Sequence, residues 1–202
     1  MALLLIRHGE TEFNAGRVIQ FPDTPLGPTG LAQAERLARR LVANPLALVL
    51  CSDYRRARMT ADAIIAATGA PLIESPSLRE RNFGDLRGRA YASLGALDPF
   101  ASDYAPPNGE SWATFHARVD RAWDELLAHA ADRTGDIAVV THGLVLRSLL
   151  ERRLDASGFA IAPDLVVANT SVTLVDATPP WRVTRLGCTE HLAFETGTSA
   201  AV

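Results

Sequence analysis

An α/β layer structure with a largely parallel central sheet is predicted by two observations. Short, continuously apolar runs alternate with stretches of helical periodicity along the chain. Three of those runs are also followed at once by polar clusters: Arg7-His8, Ser52 to Arg58, and His142-Gly143. In open parallel sheets ligands gather outside the carboxyl ends of the strands, so three separated segments are expected to converge on one rim.

The elements follow in order. Residues 2–6 form an apolar run with the pattern of a buried parallel strand, which ends abruptly in Arg-His-Gly-Glu-Thr. From Thr29, a candidate cap, Leu31, Ala34, Leu37, Ala38 and Leu41 recur at helical spacing up to the stop signal Asn44-Pro45. Leu46 to Cys51 is the next apolar run. Arg56 to Ala67 reads as a second helix, with Met59, Ala63, Ile64 and Ala67 on its apolar positions and Gly69 and Pro71 at its end. Pro71-Leu-Ile is a short third strand. Residues 75–108 mix Gly, Pro, Asp and Arg without lasting periodicity, the pattern of a long functional loop or a partly helical insertion.

Trp112, Phe115, Val119, Trp123, Leu126 and Leu127 trace one face of a long helix closed by the polar segment 132–135. Ile137 to Thr141 is the next strand, and Leu146, Leu149, Leu150 and Leu154 mark the helix after His142-Gly143. Ser171 to Asp176 and Arg182 to Leu186 alternate as strands around Thr178-Pro-Pro. Without a repeat or linker, residues 1–202 are expected to form one domain, with about 188–202 a loosely attached tail.

Composition narrows the partners. Twenty arginines, no lysine and 23 acidic residues give a net charge of −3, without the basic excess expected of a general nucleic-acid binder. Every fixed side-chain cation is thus a guanidinium, a planar fork suited to phosphate or carboxylate. Cys51 and Cys188 are too few and too far apart for a disulfide framework or a four-ligand zinc site, and are expected as reduced thiols. The apolar N-terminal run is too short for a signal or a membrane span, so the expected location is the cytoplasm and no membrane partner is anticipated.

The rim therefore collects two histidines, at least two arginines and, if the loop after the third strand folds back, Glu80. Guanidinium forks and amides at helix starts favour a phosphoryl group. An imidazole among such cations resists protonation and keeps a lone pair for attack. A carboxylic acid at Glu80 would supply a proton to a departing alkoxide. A metal hydrolase would need ligand spacing such as His-Glu-x-x-His, which is absent; no metal and no cofactor are expected.

Leu5-Ile-Arg7-His8-Gly9-Glu10-Thr11 with Asn14 resembles the signature of the histidine phosphatase superfamily, the phosphoglycerate-mutase-like proteins. Further matches are Asp23-Thr-Pro-Leu with Gly30, Ser52-Asp-Tyr-Arg-Arg56-Ala-Arg-Met-Thr60-Ala, Leu78-Arg-Glu80 with Phe83-Gly84 and Gly88, Gly109-Glu110-Ser111, Val140-Thr-His142-Gly143 and Asn169-Thr-Ser171. The resemblance implies a three-layer αβα sandwich of phosphoglycerate-mutase type. It implies that His8 becomes a phosphohistidine, that Arg7 and Arg56 clamp the phosphate, that His142 steadies the transferring group, and that Glu80 is general acid and base. Asn14 and Gly143 join the phosphate pocket in the same reading.

The chain departs from many relatives where they place Gln-Gly before the Asp of Asp-x-Pro-Leu: here the order is Gln20-Phe21-Pro22-Asp23. Phenylalanine lacks glycine's backbone freedom and Pro22 has no amide to donate. In the substrate pocket, Gln20 is therefore a candidate for a side-chain contact with the phosphate, Phe21 for lining the leaving-group side, and Arg81 or Arg87 for contact with a charged substrate. His116 and His129 are expected to be structural or exposed, and His191, in the weakly patterned tail, is assigned no role.

The expected activity is a metal-independent phosphomonoesterase acting on a small phosphorylated metabolite. The alternatives are a phosphoglycerate mutase and a non-catalytic module that binds phosphorylated ligands. The partner expected is a small-molecule phosphate ester, with a second copy in a homodimer the one macromolecular partner entertained.

Overall fold

A computed structural model describes residues 1–162 and 165–193. Strand β1, Ala2–Arg7, is followed by the short helix α1, Glu12–Ala15, and by α2, Pro28–Leu41. Then come β2, Leu46–Cys51; α3, Arg55–Thr68; β3, Leu72–Glu74; α4, Trp112–Ala131; β4, Asp136–Thr141; and α5, Gly143–Arg152. Strands β5, Val172–Asp176, and β6, Val183–Cys188, complete the order.

One six-stranded sheet runs β3-β2-β4-β1-β5-β6. β1, β2, β3 and β4 pair in parallel, while β5 and β6 are antiparallel additions on one side. Alternation along the central strands separates two cores. Leu3, Leu5, Leu48, Leu50, Ile137 and Val139 pack with Phe115 and Trp123 of α4 and Leu146 and Leu149 of α5. Leu4, Ile6, Val49, Cys51, Ala138 and Val140 face Leu37 and Leu41 of α2 and Ala57, Ala61 and Ile64 of α3. This is the three-layer αβα sandwich, and each fully buried Leu or Ile adds about 1.5–3 kcal/mol of burial to it.

The ends of the elements follow local chemistry. α2 begins one residue before Thr29, because Gly27 is its N-cap and Pro28 fits a first turn that needs no N–H. It ends at Leu41, before Asn44-Pro45, whose Asn44 amide bonds back to the Leu41 carbonyl at 2.9 Å. α3 closes on Gly69 in the left-handed region at φ 71°. Ser111 caps α4 by accepting from the Thr114 amide. β3 lies one residue later than expected, since the Pro71 carbonyl accepts from Val49 and pairing continues to Glu74.

Residues 75–108 contain three short 3-10 helices, Pro76–Leu78, Gly84–Leu86 and Tyr91–Leu94. Phe83, Leu86 and Leu94 bury against Ile19 in a third small cluster, so this stretch is anchored over the carboxyl rim of the sheet. Both cysteines are unpaired, and burial pushes the Cys51 thiol up to about 12.

Of the tail expected at about 188–202, the structure describes residues 188–193. A 3-10 turn, Glu190–Leu192, seats His191 between two elements. His191 Nε2 is 3.2 Å from Thr170 Oγ1, and Arg40 Nη1 is 3.2 Å from His191 Nδ1. The Thr170 hydroxyl already donates to the Asn169 carbonyl at 2.8 Å, so Nε2–H donates and Nδ1 accepts from Arg40. Residues 194–202 lie outside the described residues. Among the described residues, no helix is long and apolar enough to cross a membrane.

Candidate active site

Three strand ends meet at one pocket of about 950 Å³. β1 pairs with β4 so that Arg7 lies beside Thr141. The next amide, of His8, donates to the Thr141 carbonyl at 2.9 Å, and the Ser52 amide donates to Val140 at 3.0 Å. His8, Ser52 and His142 are thereby stacked along one edge by backbone register. The His8 and His142 rings lie 5.1 Å apart, centroid to centroid.

The tautomer of His8 follows from its neighbours. Nδ1 lies 2.7 Å from the Gly9 carbonyl oxygen, which can only accept, so Nδ1 carries the proton. Nε2 then holds the lone pair, and the Arg56 Nε–H donates to it at 3.2 Å. Burial, reinforced by the charges of Arg56 and Arg7, holds the pKa of His8 well below the ordinary histidine value. His142, also fully buried, is lowered by the same causes. Its Nε2 is 2.8 Å from Ser52 Oγ, while Nδ1 is buried without a protein partner.

Arg56 stands in the first turn of α3 and is 2 % exposed. Its Nη1 donates to the Phe21 carbonyl at 3.0 Å, and burial lowers its pKa to about 10, still charged at neutral pH. Arg7 donates Nη1 to the Val167 carbonyl, and its Nε is buried without a protein partner. An unmet Nε–H on Arg7 and an unmet ring nitrogen on His142 are the pattern of a site built for an oxygen-rich ligand.

Glu80 folds back to the rim, as the loop reading required. Its Oε1 accepts from the Arg81 amide at 2.9 Å and its Oε2 from the Leu144 amide, at the start of α5, at 3.2 Å. Burial raises its pKa from the usual carboxyl value, against those two hydrogen bonds and the charges of Arg56 and Arg7. The carboxyl is thus biased towards holding a proton.

The remaining predicted residues divide. Asn14 and Gln20 line the pocket. Asn14 closes the capping box of α1 with Thr11, and Gln20 Oε1 accepts from the Thr11 hydroxyl at 2.9 Å. Gly143 is the first residue of α5 and lines the pocket beside Arg7.

Phe21 is not among the lining residues, which corrects its expected place in the leaving-group pocket. It is 41 % exposed, its ring lies edge-on to Phe13, and it packs against Gly88. Gly88 has φ 82°, and a Cβ there would lie 2.9 Å from that ring. Arg81 lines the pocket, but it is 1 % exposed and its guanidinium donates to the carbonyls of Glu110, Pro99 and Tyr104 while lying 4.0 Å over the Trp112 ring. Its donors face the protein, so it braces the 99–110 segment.

Sequence reasoning gave no role to several lining residues: Tyr54, Tyr91, Phe100 and His116. His116 stacks on Trp112 at 5.5 Å and meets Ser148 Oγ at 2.8 Å. Helical spacing had marked only its helix; Trp112 and His116 line the pocket from the N-terminal turns of α4. Asn169 donates to the His8 carbonyl at 2.8 Å and so fixes the end of β1. Among the described residues no three His, Cys, Asp or Glu side chains gather as metal ligands.

Comparison with known proteins gives a consistent family. A model described as histidine phosphatase superfamily (branch 1) matches residues 3–188. The adenosylcobalamin/alpha-ribazole phosphatase of Salmonella typhimurium is 36% identical over 165 residues, covering 76% of this chain and 80% of its own. The probable phosphoglycerate mutase GpmB of Proteus mirabilis is 32% identical over 191 residues, with 90% and 87% covered. Among solved structures, Bacillus stearothermophilus YhfR superposes with a TM-score of 0.82 at 28% identity, covering 95% of this chain and 99% of that one.

Proposed function

The chain belongs to the histidine phosphatase superfamily, branch 1, and from that premise we propose that it is a metal-independent phosphomonoesterase of one domain that works through a phosphohistidine on His8. Relatives named as phosphatases support hydrolysis of phosphate esters. The observation that carries the finer reading is the polarity of His8: Nδ1–H is committed to Gly9, which leaves the Nε2 lone pair beside two guanidinium groups.

In this reading the substrate phosphate takes the place of His8 Nε2 as the partner of Arg56 and meets the open Nε–H of Arg7. His8 Nε2 attacks phosphorus while the bond from phosphorus to the ester oxygen breaks, and the Glu80 proton passes to the departing alkoxide. His142 donates from Nδ1 to a phosphoryl oxygen when Ser52 donates its hydroxyl to Nε2. Water then attacks the phosphohistidine, Glu80 takes a proton from it, and the phosphorus–nitrogen bond breaks to release inorganic phosphate. Positioning and charge stabilisation supply most of the acceleration in such a transfer.

The pocket favours a phosphatase over a mutase for phosphoglycerate. Its volume of about 950 Å³ lies at the upper end of small-molecule sites, about 300–1,000 Å³, far more than a three-carbon acid fills. The test is incubation with phosphate esters carrying labelled phosphorus. Acid-labile label on the protein and release of labelled inorganic phosphate are expected. Label retained in isomerised phosphoglycerate would mean a mutase, and binding with neither capture nor turnover would mean a silent binding module.

A further inference from the structure

Arg87 stands at the pocket wall with no carboxylate partner among the described residues. It is half-buried, and of its five guanidinium donors one bond is made, from Nη2 to the Tyr54 hydroxyl at 3.1 Å. The other lining arginines are accounted for. Arg147 pairs with Glu151, Arg81 is held by three carbonyls, Arg17 is exposed at the mouth, and Arg7 and Arg56 form the clamp.

The charge balance at the clamp gives Arg87 its meaning. A phosphate dianion matches Arg7 and Arg56, and Glu80 is then needed as the neutral acid. Arg87 is near enough for its charge to lower the pKa of Arg56, and among the described residues no carboxylate is paired with it. Its remaining donors on the pocket side are open to a ligand anion, which a guanidinium fork can hold by charge-assisted hydrogen bonds. The loop that carries it is also fixed: Gly88 N donates to Ile19 at 2.7 Å, Ile19 N to Arg89 at 3.0 Å, and Arg87 N to Gly84 at 3.2 Å.

We propose that Arg87 and the Tyr54 hydroxyl form an anion subsite beside the phosphate clamp, and that the substrate is a phosphate monoester whose alcohol carries a second negative group. The same wall holds Tyr91 stacked on Phe100 at 5.7 Å, so an apolar or planar body between the two charges has a surface to lie on. This inference rests on the phosphomonoesterase reading of the site.

The test compares carboxybenzyl phosphates, with the carboxylate ortho, meta or para, against the matching carboxamides, which have the same shape and nearly the same leaving alcohol. The wild-type enzyme is expected to show at least tenfold higher kcat/KM for the carboxylate of the best-fitting isomer. Arg87→Gln should bring that ratio to about one, and Arg87→Lys should retain part of it. A wild-type ratio of one or less in all three isomers overturns the subsite even if the variants fail to fold. An undiminished ratio in folded Arg87→Gln overturns it too. Hydrolysis without discrimination defeats this inference alone, whereas failure to hydrolyse any ester together with failure to label His8 defeats the phosphatase reading.

Discussion

The carbonyl oxygen of Phe21 accepts from Arg56 Nη1 at 3.0 Å, so a residue whose ring lies outside the pocket aims a guanidinium inside it. The ring's packing on Gly88 and Phe13 holds that carbonyl in place. Phe21→Gly should therefore cost about 1 kcal/mol of stability, as a lost half-exposed contact does. It should also lower kcat/KM several-fold through misplacement of Arg56. Unfolding in urea and steady-state kinetics on one ester check both; unchanged kinetics would show that Arg56 needs no such support.

His8→Ala should abolish acid-labile phosphate capture, whereas Glu80→Gln should still capture phosphate from esters with good leaving groups. The second variant loses most on esters of poorly acidic alcohols, by about 10²–10⁴-fold, the usual range for a general acid. A plot of rate against leaving-group acidity separates the two, and full activity in purified His8→Ala would sink the mechanism.

The pH profile follows from opposite shifts. His8 must be neutral and its pKa is lowered, so activity persists below the ordinary histidine range and falls only as pH drops through the depressed value. Glu80 must be protonated and its pKa is raised, so activity falls as pH rises through a value above the usual carboxyl range. Stability obeys its own sign. Between the depressed folded value and about 6.5 the unfolded His8 binds a proton that the native one refuses, so stability is lost as pH falls through that window. Urea midpoints should decline from pH 7 downwards, less steeply in His8→Gln.

Gly30, in the first turn of α2, packs directly on the backbone after His8: a Cβ there would lie 1.9 Å from the Glu10 carbonyl oxygen. Gly30→Ala must displace one backbone or the other. The expected outcome is a loss of about 1–3 kcal/mol, as for overpacked sites, with a fall in kcat/KM carried two residues along to His8. A shift in Tm with unaltered kinetics would show that α2 alone moves.

The strand ends were legible because three apolar runs stop at polar clusters, and parallel strands bring their ends together. That logic brought Arg7, His8, His142, the cluster Ser52 to Arg58 and, through the loop, Glu80 to one rim; the family resemblance singled out Arg56 within the cluster. Sequence reasoning did not foresee that Phe21 acts through its carbonyl oxygen, or that Arg81, which lines the pocket, turns its donors to carbonyl oxygens, atoms that every residue type carries. Side-chain identity says nothing about which carbonyl is left to accept. The short helix at Glu12–Ala15 was missed for a related reason, since four residues are too few for a period and only the Thr11–Asn14 cap marks them.

His191 is bound to Thr170, and the Thr170 amide donates to the carbonyl of Arg7 at 3.0 Å, one residue from the nucleophile of the proposed reaction. The turn Glu190–Leu192 is therefore a latch on β1. A shortened version ending before Glu190 loses that latch while keeping every residue that lines the pocket.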